Sequence, residues 1–107
     1  MSTKEDALNL HRKIRGKIEI SNRVSLDNAS GKEKGTLELI YTPGVAYVAL
    51  EISNNKKLAY DLTSKWNNVA IVSDGTRVLG LGNVGPEAAL TVMEGKSVLF
   101  KALAGIN

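Results

Sequence analysis

Asp74-Gly75-Thr76-Arg77-Val78-Leu79-Gly80-Leu81-Gly82-Asn83-Val84-Gly85-Pro86-Glu87-Ala88-Ala89-Leu90-Thr91-Val92-Met93-Glu94-Gly95-Lys96 is the stretch on which the fold turns. It reads as a turn, a short returning strand, a glycine-rich loop and the start of a long helix. Gly80, Gly82 and Gly85 satisfy G-x-G-x-x-G, and Pro86 suits the first turn of a helix, where its missing N–H costs nothing. A phosphate-binding loop needs that context. A dinucleotide fingerprint also needs a second strand and an acid about 20 residues further on, which this chain does not supply. The other reading is that the glycines turn a strand tightly into a helix whose free N–H groups still favour an anion nearby.

Working outward, the helix after Pro86 is expected to run to about Leu103, with Ala89, Val92 or Met93, Lys96, Leu99 or Phe100, and Leu103 recurring at its period. Residues 69–72, Val-Ala-Ile-Val, form a continuous apolar run that reads as a strand buried on both faces. Asp74-Gly75 is a hairpin signal, with residues 77–81 as the returning strand. Residues 36–41 place Leu37, Leu39 and Tyr41 on one face at period two, a third strand that ends on a phenol. Thr42-Pro43-Gly44 ends it and opens a helix to about Asn54, with Thr42 as the cap. Residues 58–66 favour a helical turn or two. At the other end, Ser2 or Thr3 can cap a first helix, Ser2 with Glu5 forming a capping box, and Gly16 stops it. Residues 17–20 alternate as a short strand, and residues 21–34, rich in turn formers and ending in Lys32-Glu33-Lys34, contain a weak edge strand around Val24 and Leu26. The expected fold is α/β: one small domain with a short mixed sheet flanked by helices and a long C-terminal helix.

At 107 residues the chain is large enough to bury a core, and 43% hydrophobic with 23% charged residues is an ordinary globular composition. A net charge of +3 is spread among interleaved acids and bases, with no basic cluster alternating with aromatics, so nucleic acid is not expected as a partner. The absence of cysteine excludes disulfides and thiolate metal sites. With no signal-like start and no apolar run near the ~18 residues of a membrane span, a cytoplasmic location is expected.

Three residues stand out chemically. Lys96 lies among Val92, Met93, Leu99 and Phe100 and directly follows Gly95, which would let a ligand approach. It is either a lysine that snorkels to water or a desolvated amine serving as a general base. Tyr41 is a core aromatic with its hydroxyl hydrogen-bonded, or a proton donor at a strand end. Arg77 is a solvated residue or a clamp for a substrate carboxylate. Asp74 reads as a turn former. His11, the lone histidine, cannot build a metal cluster with others.

Four motifs then occur together: Tyr41-Thr42-Pro43-Gly44-Val45-Ala46, Trp66-Asn67-Asn68 running to Asp74-Gly75-Thr76, Val78 to Leu90 with the glycine loop, and Val92-Met93-Glu94-Gly95-Lys96. In that order they resemble the amino-terminal domain of malic enzymes, most closely the short prokaryotic type, over most of the chain from about Leu8 to Asn107. The resemblance implies oxidation of malate by NAD or NADP, metal-assisted loss of carbon dioxide with Mg or Mn, and protonation of the enolate to pyruvate. It implies Lys96 as the general base, Tyr41 as the proton donor and Arg77 near the malate carboxylate. It implies a homodimer, with the metal ligands and the NAD-binding domain absent from these 107 residues. No tightly bound cofactor is then expected on this chain, which should be inactive alone. Alternatives are a malolactic enzyme domain, or a non-catalytic dimerising or anion-binding module. Thr91 departs from the family pattern, which usually has proline there.

Overall fold

Ser2 starts the first helix because its side-chain oxygen replaces a missing intrahelical partner. In this computed structural model, which describes residues 2–26 and 35–107, Ser2 Oγ accepts from the Glu5 N–H at 3.2 Å and α1 runs over Thr3–Ile14. Glu5 and Asp6 occupy its first turn and His11, Arg12 and Lys13 its last, so both ends complement the helix dipole. Arg15 ends it in the left-handed region at φ 56°, and Gly16 follows at φ 126°. Among the described residues four further helices follow: α2 over Thr36–Ile40, α3 over Gly44–Asn54, α4 over Ala59–Leu62 and α5 over Gly85–Ala104. Short 3-10 turns at Lys56–Leu58 and Ser64–Asn67 flank α4, where helical turns were expected.

No strand is present among the described residues, so the expected short mixed sheet is not formed and the α/β class gives way to helices joined by extended and turn segments. A strand is defined by its partner, and period-two patterning alone does not supply one. Residues 36–41 alternate, yet in so short a run the same residues fit a helical turn. Helical bonds decide the matter, with the Leu39 N–H donating to the Gly35 carbonyl at 3.2 Å and the Tyr41 N–H to Leu37 at 2.9 Å. The apolar run at residues 69–72 is not buried on both faces, since Val69 is 52% and Val72 89% exposed. In place of a ladder, the Val69 N–H donates to the Asn107 carbonyl at 3.0 Å. Residues 77–81 do not return as a hairpin strand, because the Leu81 N–H folds back onto the Val78 carbonyl at 2.7 Å. Residues 17–20 and the segment around Val24 and Leu26 are likewise without strand pairing. The remainder of the turn-rich segment, residues 27–34, lies outside the described residues.

The chain divides into two compact units, Met1–Ile20 with Val69–Asn107, and Ser21–Asn68. The first contains both buried apolar side chains found among the described residues, Val78 and Ala89. Its organising element is α5, roughly 30 Å long at 1.5 Å per residue. Pro86 sits in the first turn of α5, and Gly105 ends it in the left-handed region at φ 67°.

In the second unit α2 and α3 are joined across Tyr41-Thr42-Pro43, with a cis Thr42–Pro43 peptide bond. Pro43, in place of Thr42, stands at the cap position of α3. Gly44 is required there, because a Cβ on it would lie 2.8 Å from the Leu39 Cα. The Tyr41 carbonyl accepts from the Val45 N–H at 2.7 Å, which fixes the turn. Asn55 and Thr63 cap the two 3-10 turns with their side-chain oxygens. No side chain of this unit is buried among the described residues, and Leu39, Tyr47 and Leu50 are all exposed.

Candidate functional site

The segment leading into α5 is built from short-range polar bonds. Ser73 Oγ accepts from the Gly75 N–H at 3.1 Å, and Asp74 Oδ1 accepts from the Thr76 N–H at 3.1 Å and the Thr76 hydroxyl at 2.8 Å. These donors, the hydroxyl first and the amide second, stabilise the carboxylate and hold Asp74 below its ordinary value of 3.8. Asp74 is thus spent on shaping the turn, as its type suggested.

Gly75 sits at φ 74°, and its carbonyl accepts from both the Val84 N–H at 3.0 Å and the Gly85 N–H at 3.1 Å. Between these points the Val78 N–H reaches the Gly82 carbonyl at 3.1 Å. Leu79, Gly80 and Gly82 all take positive φ, at 50°, 73° and 77°. The glycines are therefore needed for a compact double-back that ends on the first turn of α5. This arrangement leaves a nicotinamide dinucleotide fewer helix-start amides than its fingerprint loop requires. Backbone N–H groups at a helix start are what would cradle its phosphates, and here two of them already serve the Gly75 carbonyl. Nor do the residues fit a divalent metal, because no group of three or more His, Cys, Asp or Glu side chains is placed to hold one among the described residues.

Arg77 and Lys96 belong to the first unit and Tyr41 to the second. Arg77 extends from the turn after Thr76 and is exposed. Lys96 lies past the middle of α5 and is also exposed, so its apolar neighbours do not desolvate it in this chain. Leu99 and Phe100 are themselves 57% and 36% exposed, which explains why they do not bury it. Beside it, no atom lies within 4 Å of where a Cβ on Gly95 would be, so the approach to Lys96 from that side is open. Tyr41 is 66% exposed at the end of α2. None of these three side chains makes a hydrogen bond or ion pair among the described residues, which leaves all three polar ends available to a ligand.

A further cluster has no local sequence signal. The Lys17 N–H donates to Glu94 Oε2 at 2.7 Å, and Lys17 Nζ donates to the Thr91 carbonyl at 2.8 Å and to Thr91 Oγ1 at 2.6 Å. Next to it an open cleft of about 430 Å³ is lined by Leu10, His11 and Ile14 of α1, Lys17, and Gly95 and Val98 of α5. His11 Nδ1–H donates to the Ala7 carbonyl at 2.7 Å, so this histidine is oriented by its own helix.

Comparison with known proteins follows the same residues. The family profile "Malic enzyme, N-terminal domain" matches residues 16–107. The chain is 51% identical over 107 residues to the bifunctional malic/malolactic enzyme of Bacillus subtilis, covering 100% of this chain and 25% of that relative. It is 48% identical to the NADP-dependent malic enzyme of Haemophilus influenzae, covering 97% of this chain and 13% of the relative. The crystal structure of an NAD-dependent malic enzyme from Thermotoga maritima superposes with a TM-score of 0.84 at 51% identity, over 94% of this chain and 27% of that one. The chain thus spans about a quarter or less of the curated relatives it matches.

Proposed function

This chain belongs to the malic enzyme family through its N-terminal domain, and from that membership we propose that it is the malate-handling part of an NAD- or NADP-dependent enzyme that oxidises and decarboxylates malate to pyruvate. The observation that carries this reading is that the family match spans residues 16–107, a range that includes Tyr41, Arg77 and Lys96. Lys96 takes the proton from the malate hydroxyl as that carbon is oxidised. Tyr41 returns a proton to the enol carbon that becomes the methyl group of pyruvate, and Arg77 binds a carboxylate of the substrate. Each role suits the residue type: an amine that can be neutral, a phenol that can donate, and a planar guanidinium that pairs with two oxygens. The exposure of all three polar ends and the open side of Gly95 support it.

Redox and Lewis-acid chemistry would come from NAD or NADP and from Mg or Mn. The described residues offer no group of three or more His, Cys, Asp or Glu for the metal, and the Val84 and Gly85 amides are taken by the Gly75 carbonyl, so the reading assigns these groups to a part of the enzyme other than these residues. On this reading the chain does not turn over malate by itself. The family reading also includes a homodimer and a cytoplasmic site of action; no helix among the described residues is long and apolar enough to cross a membrane. The dual malic/malolactic name of the Bacillus subtilis relative favours one second reading, in which the product is lactate.

Malate titration of the isotope-labelled chain, followed by NMR, tests the assignment. Shifts at Lys96, Arg77 and Tyr41 are expected. Shifts confined to residues 82–87 would point instead to an anion-binding module, and metal- and NAD-dependent turnover by the chain alone would overturn the division of labour.

A further inference from the structure

Lys17 is the one residue among residues 2–20 that is not exposed, and every hydrogen bond joining that segment to α5 among the described residues starts on it. The two consecutive left-handed residues that end α1, Arg15 and Gly16, turn the chain so that the next N–H points at α5. A Cβ on Gly16 would stand 3.5 Å from Glu94 Oε2, so the carboxylate lies directly against the turn. The outcome is a two-armed clasp. The backbone arm holds Glu94, and the ammonium arm holds both oxygens of Thr91.

We propose that Lys17 is a positioning residue for Lys96, pinning the turn of α5 from Thr91 to Gly95 from which Lys96 projects. The helix needs support at this point. Gly95 lies in its interior, where glycine weakens a helix relative to alanine, and no atom from outside its own helix turn lies against its open side. The clasp grips the helix at Glu94, immediately before that glycine, and at Thr91, one turn earlier. Hydrogen bonds from a charged donor such as this ammonium are stronger than neutral ones. Glu94 is also committed by the clasp: its carboxylate is held at the Gly16–Lys17 turn and is not available as a mobile counter-ion for Lys96. Thr91 supplies one of the acceptors through its hydroxyl, an oxygen that a proline at this position would lack.

The proposal rests on the functional reading only in giving Lys96 a role; the clasp itself is read without malate. The test compares Lys17→Met, Lys17→Arg and Thr91→Val in the 107-residue chain by amide hydrogen exchange and by NMR of lysines labelled at Cε. In Lys17→Met, exchange at Gly95, Lys96 and Ser97 should rise about tenfold, the equivalent of roughly 1.4 kcal/mol. The Lys96 Cε signal should move while that of Lys101, bonded to Asn107 further along α5, stays in place. Lys17→Arg should restore both readings. Thr91→Val removes a single acceptor and should give a smaller change at the same residues, which keeps the test open if Lys17→Met does not fold. Unchanged exchange at residues 95–97, or an equal rise at Val78 and Ala89, would overturn the proposal. A malate titration of the same variants reads the functional assignment separately, so that loss of malate binding in every chain with an intact clasp would count against Lys96 as base and not against Lys17.

Discussion

Replacing Gly75 by alanine should be among the most damaging single changes in the first unit, and its cost can be built from the geometry. Gly75 has φ 74°, where an L side chain costs ~1–2 kcal/mol. Its added Cβ would overlap the Gly85 carbonyl and come within 2.8 Å of the Pro86 nitrogen, both backbone groups that cannot rotate away. Forced overlap of that kind costs ~1–3 kcal/mol. The shift that relieves it would separate the Gly75 carbonyl from the Val84 and Gly85 amides, at about 1 kcal/mol for each bond. The sum is about 4–7 kcal/mol, a large share of the ~5–15 kcal/mol that holds a typical domain together. Gly82→Ala is the matched control, because Gly82 has φ 77° but no atom within 4 Å of its missing Cβ, so it bears the backbone cost alone. Urea unfolding followed by far-UV circular dichroism measures both. A Gly75→Ala chain no less stable than Gly82→Ala would refute the packing argument at the start of α5.

Two further outcomes follow from named contacts. Asp74 is held below 3.8 by the Thr76 hydroxyl and amide, so the stability it contributes is present above that value and fades as the pH falls through the lowered one; Thr76→Val should move the Asp74 carboxyl back up, and an unchanged NMR titration of Asp74 would sink the assignment. Ser2→Ala removes the cap of α1 and should cost about 1 kcal/mol, seen as faster amide exchange at Glu5 with α5 unaffected.

What was legible in the sequence was local. The Ser2 cap, the Gly16 stop and the Pro86 start depend on neighbours within a turn, and each stands where its residue type placed it. The sheet was not legible, because Leu37, Leu39 and Tyr41 satisfy period two and a short helix equally, and only the hydrogen bonds of the folded chain choose between them. The apolar run at residues 69–72 misled for a related reason: hydrophobicity implies a covering partner, yet Val72 is 89% exposed. For the candidate site, residue types were readable and environments were not. The apolar neighbours of Lys96 left both a solvated and a desolvated lysine open, because a helix face buries a residue only where something packs on it. Lys17 carried no signal at all, since its acceptors lie 74 and 77 residues away.

The Gly75 carbonyl has a meaning beyond shaping the loop. With its partial negative charge held between two backbone amides at the start of α5, it is a resident stand-in for the anion that G-x-G-x-x-G loops elsewhere take from solution. A site that brings its own negative pole gains nothing from mass action: free ligand stabilises a fold only where it finds binding groups unspent. Added phosphate should therefore leave the unfolding midpoint where another salt of equal ionic strength leaves it. What separates a nucleotide loop from a look-alike is then a competing acceptor several residues upstream, a property that the spacing of the glycines does not encode.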